Sequence, residues 1–223
     1  MKPVQIKICG ITNLEDVRVC LETEVDMIGL NFYPRSLRYI EPRQVPAIRL
    51  AIGRRAEVVG VFVDASSDEV RRLARHFDIA SVQLHGNYSP EECAELAREF
   101  RVIRALPLTA EFRPEDAAAF RGCDVLLDAA YEELHGGGGE RCDWNKARAT
   151  SGYARFSLLA GGLTPANVGD ALRAVHPDAV DVCSGVEREP GVKDHTLITQ
   201  FVFAARGAAT SGRQRTLCKR QME

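Results

Sequence analysis

The chain has 223 residues, of which 45% are hydrophobic and 27% charged, with a formal net charge of −2. That composition is ordinary for a globular protein with a sizeable core, and so slight an acidic balance gives no general electrostatic reason to bind nucleic acid or a membrane surface. No apolar run approaches the ~20 residues of a membrane span, no signal-peptide h-region precedes the first strand, and the seven cysteines include no Cys-x-x-Cys pair; this argues against a zinc ribbon or a disulfide framework and fits a reducing cytoplasm.

The first stretch, Val4-Gln5-Ile6-Lys7-Ile8-Cys9, alternates aliphatic and polar residues. With a side-chain period of two, Val4, Ile6 and Ile8 face one layer while Lys7 and Cys9 face the other. Gly10 breaks the strand, and Thr12 or Asn13 can cap a helix running through 14–17. A thiol is thereby set at the carboxyl end of a strand, beside the amides of a helix start. A nearby ammonium and a helix N-terminus both favour thiolate. An arbitrary free cysteine is more often a small buried hydrophobe; the polar face shared with Lys7 weighs against that reading.

Comparable aliphatic runs recur at 27–32, 58–63, 81–85, 102–106, 124–128, 156–160 and 179–183, making eight with 4–9. Each is followed by a helix-like segment. The clearest are 68–77, 90–100 and 165–175, where apolar residues recur at three and four and Ser or Thr stands where a cap is wanted. Strands alternating with helices imply parallel pairing with right-handed crossovers. Eight such units predict an α/β fold of one domain, the closed (β/α)8 TIM barrel. An open doubly wound sheet is the alternative, but no Gly-x-Gly-x-x-Gly follows the first strand. The barrel is expected to span 1–206, and the basic, aperiodic segment 207–223 to be a disordered tail. Four glycines at 136–139, after the sixth strand, read as a mobile flap.

In such a barrel every strand aims its carboxyl end at one face, where active sites lie. Cys9, His85, Asp128, Asp181 and Cys183 all stand at or near strand ends, so the fold gathers them at one rim. Asp128 follows Val125-Leu126-Leu127, and a carboxyl held against apolar walls has a reason for a raised pKa and general-acid duty. A capping or salt-bridged aspartate is an equal reading from position alone. His85 suits an acid or a substrate hydrogen-bond donor, although a lone rim histidine is usually satisfied by backbone. No histidine and carboxylate set has metal-ligand spacing, so no metal is expected. Ala160-Gly161-Gly162-Leu163-Thr164-Pro165 follows the seventh strand and Cys183-Ser184-Gly185-Val186-Glu187 the eighth. Glycine-rich loops in these two places are where barrels of this type bind phosphate, through backbone amides and hydroxyls.

Seven motifs stand in one order: Lys-Ile-Cys-Gly-Ile-Thr, Tyr-Pro-Arg-Ser-Leu-Arg-Tyr, Val-Gln-Leu-His-Gly, Leu-Leu-Asp, Asp-Trp after a glycine run, Gly-Gly-Leu-Thr-Pro-Ala-Asn-Val and Asp-Val-Cys-Ser-Gly-Val-Glu. Together they resemble the phosphoribosylanthranilate isomerase family from about Lys7 to about Phe203. The resemblance implies an Amadori rearrangement in tryptophan biosynthesis, with no cofactor and a phosphosugar as the small-molecule partner. It implies Cys9 as general base and Asp128 as general acid. Arg38 would hold the anthranilate carboxylate, a match for its guanidinium fork. His85 and Asp181 would support the substrate, and Gly161, Gly162, Cys183, Ser184 and Gly185 would hold the phosphate. The chain departs from the family pattern at Cys183, where a serine is usual, and at Cys142, where an aromatic often precedes Asp-Trp. A monomer is expected rather than a homodimer. The competing readings are a related phosphosugar isomerase or synthase, a non-catalytic phosphometabolite-binding barrel, and a redox sensor resting on the thiols of Cys9 or Cys218 alone.

Overall fold

The structure, a computed structural model, describes residues 3–129 and 142–220, with side chains as far as 208. Strands β1 (Gln5–Cys9), β2 (Met27–Asn31), β3 (Glu57–Val63), β4 (Ser81–His85), β5 (Arg101–Pro107), β6 (Asp124–Asp128), β7 (Ser157–Leu159) and β8 (Ala179–Val182) close into a barrel in sequence order. Every neighbouring pair is parallel, β8 returning to β1. Outside lie α1 (Leu14–Glu22), α2 (Val45–Ile52), α3 (Ser67–His76), α4 (Pro90–Leu96), α5 (Trp144–Ser151), α6 (Val168–Val175) and α7 (His195–Arg220). This is the TIM barrel that the alternating pattern predicts. Among the described residues no helix is long and apolar enough to cross a membrane.

Local chemistry sets the helix starts. Asn13 accepts from the Asp16 amide at 2.9 Å, Ser66 caps α3, and Ser89 with Glu92 forms a reciprocal box at α4. Two expectations are corrected. The fifth unit carries only a 3-10 segment, Pro114–Phe120, in which Ala117 alone is buried; side chains this small provide no apolar stripe to seat a full helix. The helix expected at 165–175 starts later, at Val168, because Thr164 to Asn167 form a turn closed by the Asn167 side chain. The backbone of α7 is helical through Arg220. Arg, Gln, Leu and Lys propagate a helix well once it is seated by the buried Ile198 and Phe201. The glycines expected to form a flap, 136–139, lie outside the described residues.

Alternation along the strands sorts two layers. Ile6, Ile8, Leu30, Phe62 and Leu84 are fully or almost fully buried beneath the helices. Met27, Val59, Ile103, Leu126, Leu158 and Ala179 fill the barrel's middle. Below them, at the amino ends of the strands, Arg101 binds Glu57 at 2.6 Å and Asp124 at 2.7 Å. Above them the interior changes character.

Candidate active site

Lys7 points into the barrel and is completely buried. Its ammonium lies 2.9 Å from Asp181 Oδ1, directly across the β1–β8 pairing, where the two residues are register partners. Cys9 stands two residues further along the same face. Gly29 on β2 makes room for both: a Cβ there would sit 3.0 Å from Cys9 Sγ and 3.2 Å from Lys7 Nζ. Burial pushes the Lys7 ammonium down, but Asp181 and then Cys9 outweigh it, so Lys7 stays charged. The same charge acts on the thiol. Cys9 is brought from 9.0 down to about 7, first by a hydrogen bond from Cys183, against burial, and then by Lys7.

A second charge cluster packs against this one. After β8 a single helical turn, Ser184–Val186, leads into a hairpin of β9 (Glu187–Glu189) and β10 (Val192–Lys193). The hairpin returns Lys193 to the rim, where its ammonium donates to the Cys183 carbonyl at 3.0 Å and to Glu187 Oε1 at 2.8 Å, and sits 3.6 Å from Cys183 Sγ. Arg38, on the loop after β2, forms a two-pronged pair with Glu187, Nε to Oε1 at 3.0 Å and Nη2 to Oε2 at 2.6 Å. Burial opposes the charge on Glu187, yet Arg38 and Lys193 hold its carboxyl down to about 2. Gly10, at a φ of +77°, lets Arg38 lie across the end of β1; a Cβ would meet Arg38 Cβ and Cγ at 3.1 Å.

Asp128 ends β6 and accepts from the Ala129 amide at 2.8 Å. A cavity of about 60 Å³ opens among Asp128, Gly161, Gly162, Asp181, Cys183, Ser184 and Gly185. Close approach explains its glycines: a Cβ on Gly185 would lie 1.8 Å from the Leu163 carbonyl oxygen, and one on Gly161 2.6 Å from the Ala129 amide nitrogen. The Asn167 amide donates to the Gly162 carbonyl at 2.8 Å and fixes the loop's exit. His85 ends β4, and its Nε2 lies 2.5 Å from the Gln83 amide nitrogen. Burial, then Lys7 and Arg104, lower His85 to about 4; the neutral ring therefore accepts at Nε2 from Gln83.

The barrel thus brings Cys9, Arg38, His85, Asp128, Gly161, Gly162, Asp181, Cys183, Ser184 and Gly185 to the carboxyl ends of its strands. Asp181 also has a local duty, as the partner of Lys7. Two further site residues, Glu187 and Lys193, escape the reading of the sequence. Glu187 closes the last of the seven motifs but gives no sign of its role there, and the Pro190-Gly191 turn is the signal for a hairpin that brings Lys193 back. Among the described residues no group of three or more His, Cys, Asp or Glu side chains is arranged to hold a metal ion.

Fold and site together define an enzyme-type (β/α)8 barrel, with ionisable and glycine-rich elements concentrated at its carboxyl-terminal mouth. The family model described as N-(5'phosphoribosyl)anthranilate (PRA) isomerase matches residues 6–204, and the chain belongs to that family. The N-(5'-phosphoribosyl)anthranilate isomerase of Thermotoga neapolitana is 40% identical over 204 residues, 92% of this chain and 99% of the relative. The crystal structure of the Thermotoga maritima isomerase, a dimeric protein, is 39% identical with a TM-score of 0.85, covering 92% of this chain and 99% of that one. A structure of the isomerase in complex with reduced 1-(o-carboxyphenylamino)-1-deoxyribulose 5-phosphate matches at 38% identity and a TM-score of 0.82, with the same coverage of 92% and 99%.

Proposed function

We propose that the chain carries out the Amadori rearrangement of N-(5-phosphoribosyl)anthranilate to 1-(2-carboxyphenylamino)-1-deoxyribulose 5-phosphate, in tryptophan biosynthesis. The observation that carries this reading is the fully buried Lys7 ammonium beside Cys9, at the mouth that also holds Asp128 and the glycine loops. Asp128 protonates the furanose ring oxygen, and the ring opens to an iminium. That cation acidifies the sugar C2 hydrogen, which the Cys9 thiolate removes. The enolamine formed then tautomerises to the ketone. Each step moves protons within one molecule, and none asks for a cofactor.

The remaining residues bind and orient. The backbone of Gly161, Gly162 and Gly185, with the Ser184 hydroxyl, receives the phosphate in the cavity opposite Asp128. Cys183 borders the same cradle. Arg38, held in orientation by Glu187, meets the anthranilate carboxylate. Asp181 keeps Lys7 charged and aimed at Cys9, and neutral His85 supports the substrate as a hydrogen-bonding ring. The site needs no group from a second copy, which supports a monomeric working unit, and light scattering decides between monomer and dimer; the free thiols among the described residues support a reducing compartment such as the cytoplasm. The decisive experiment follows anthranilate fluorescence as purified protein is added to phosphoribosylanthranilate. Turnover is expected without added metal or cofactor, and a purified, folded chain that leaves the signal unchanged overturns the assignment.

A further inference from the structure

In the register of β1 on β8, Lys7 pairs with Asp181 and Ile8 with Val182, so Cys9, the last residue of β1, and Cys183, the first after β8, come side by side at the rim, where their thiols share a hydrogen bond. Neighbouring strands run about 4.8 Å apart, and a disulfide accepts Cα separations of about 4.4–6.8 Å. Cys183 Sγ lies 3.3 Å from where a Cβ on Gly10 would project, and Cys9 Sγ 3.0 Å from the corresponding point on Gly29; the absence of a side chain at either position leaves each sulfur room to turn toward the other. Both thiols are free, and Cys183 lines the cavity at the mouth.

We infer that Cys9 and Cys183 form a dithiol that hydroperoxides oxidise to an intrachain disulfide, which reversibly blocks turnover. The Cys9 thiolate attacks the peroxide's outer oxygen, giving a sulfenic acid and releasing the alcohol, or water from hydrogen peroxide. Cys183 sulfur then displaces hydroxide from Cys9 sulfur, and the Cys183 proton leaves with that hydroxide as water. Two thiols and one hydroperoxide become one disulfide, one alcohol and one water. The local electrostatics favour this order. Cys183 is held well above its ordinary range, first by its hydrogen bond with Cys9 and then by burial. Once Cys9 becomes a neutral sulfenic acid the first cause disappears, and Lys193 at 3.6 Å stabilises the second thiolate. The bond itself rests only on geometry; its inhibitory effect rests on Cys9 acting as the base.

A second close thiol pair makes the test selective. Cys93 and Cys123 also share a hydrogen bond, but both are buried in the layer beneath the helices, away from the mouth. The full-length protein is treated with hydrogen peroxide, its remaining thiols are capped with N-ethylmaleimide, and it is digested without reduction for peptide mass mapping. The expected product is a Cys9–Cys183 cross-linked peptide whose yield tracks the loss of activity, with a rate at least about a hundredfold lower in the cross-linked fraction and recovery on dithiothreitol. In Cys183→Ser, scored against its own reduced rate, the cross-link is absent, and a second equivalent of peroxide carries the Cys9 sulfenic acid on to the sulfinic acid, which dithiothreitol does not reverse. A map that joins Cys93 to Cys123 and leaves Cys9 and Cys183 unjoined overturns the inference. So does a cross-linked fraction that turns over at the reduced rate, and the separate Cys9→Ala assay tells whether the fault then lies in the role given to Cys9.

Discussion

The two ends of the barrel bury charge in different ways. At the amino ends of the strands Arg101 spans Glu57 and Asp124, and Asp124 takes a second cation, Arg155, at 2.9 Å. Carboxylate and guanidinium satisfy one another there and leave nothing to do chemistry. At the carboxyl ends Lys7 has one carboxylate, Asp181, and on its other side a thiol whose proton is loosely held near neutral pH. Buried ion pairs by themselves do not mark a site. What separates the mouth from the floor is a titratable nucleophile beside the pair and a glycine-lined cavity next to it.

The sharpest way to break this contrast is to remove the groups that carry protons. Cys9→Ala and Asp128→Asn are each expected to lower kcat by about 10²–10⁴, the range a positioned acid or base supplies, with KM nearly unchanged. Arg101→Leu at the floor should leave kcat within about twofold of the parent, since it touches no reacting atom. A mouth variant that loses only KM would make its residue a binding group.

Stability is the next measure. Asp181→Leu strands a wholly buried ammonium, and breaking such a pair by removing one partner costs about 3–5 kcal/mol. The double variant Lys7→Met, Asp181→Leu should recover most of that loss in a urea melt. Arg101→Leu should cost less, about 1–2 kcal/mol, because Arg101 is partly exposed and Arg155 still neutralises Asp124. If both single variants destabilise equally, the two ends are energetically alike and the contrast fails.

Legibility in the sequence follows the same division. Strand alternation is readable because polar residues on an otherwise aliphatic strand can only face the barrel's interior, which is how Lys7 and Cys9 fall on one side and Ile6 and Ile8 on the other. Rim positions are readable because the fold aims every strand's carboxyl end at one face. The fifth unit misleads because Ala-rich 114–120 has the helix formers but no stripe to bury. Lys193 and Glu187 are hidden for another reason. Their partners, Cys183 and Arg38, are brought together by a two-stranded hairpin whose only local sign is a Pro-Gly turn, and pairing across loops leaves no periodicity. The direction of the Lys7 ammonium likewise depends on strand register with β8, which no local pattern encodes.

The pH profile sharpens the mouth's side of the comparison. As the proposed base, Cys9 works only when deprotonated, and its pKa falls from 9.0 to about 7. The acid limb of the kcat/KM profile should therefore rise with pH through about 7. Around the sulfur stand Lys7, Asp181, Cys183 and Lys193, and the hydrogen bond from Cys183 is the largest of their effects. Cys183→Ala should move the rising limb to higher pH. Activity at pH 6 then falls about tenfold for every pH unit the limb moves. An unmoved limb would mean that the ammonium groups of Lys7 and Lys193 hold the thiolate without Cys183.

The smallest expected effect tests the outer cluster. Glu187 grips Arg38 through both carboxylate oxygens and also receives Lys193. Glu187→Gln keeps one acceptor oxygen and removes the charge, so the guanidinium loses one prong of its fork and some of its fixed orientation. In the proposed binding mode the substrate carboxylate meets Arg38 equally in the ground and transition states, because the anthranilate ring takes no part in the proton transfers. Loss of orientation should thus appear as uniform binding: KM raised about fivefold, equivalent to about 1 kcal/mol, with kcat held within about twofold. A fall in kcat at constant KM would place Glu187 with the proton carriers and move the boundary between chemistry and binding outward, from the Lys7–Cys9 pair to the hairpin.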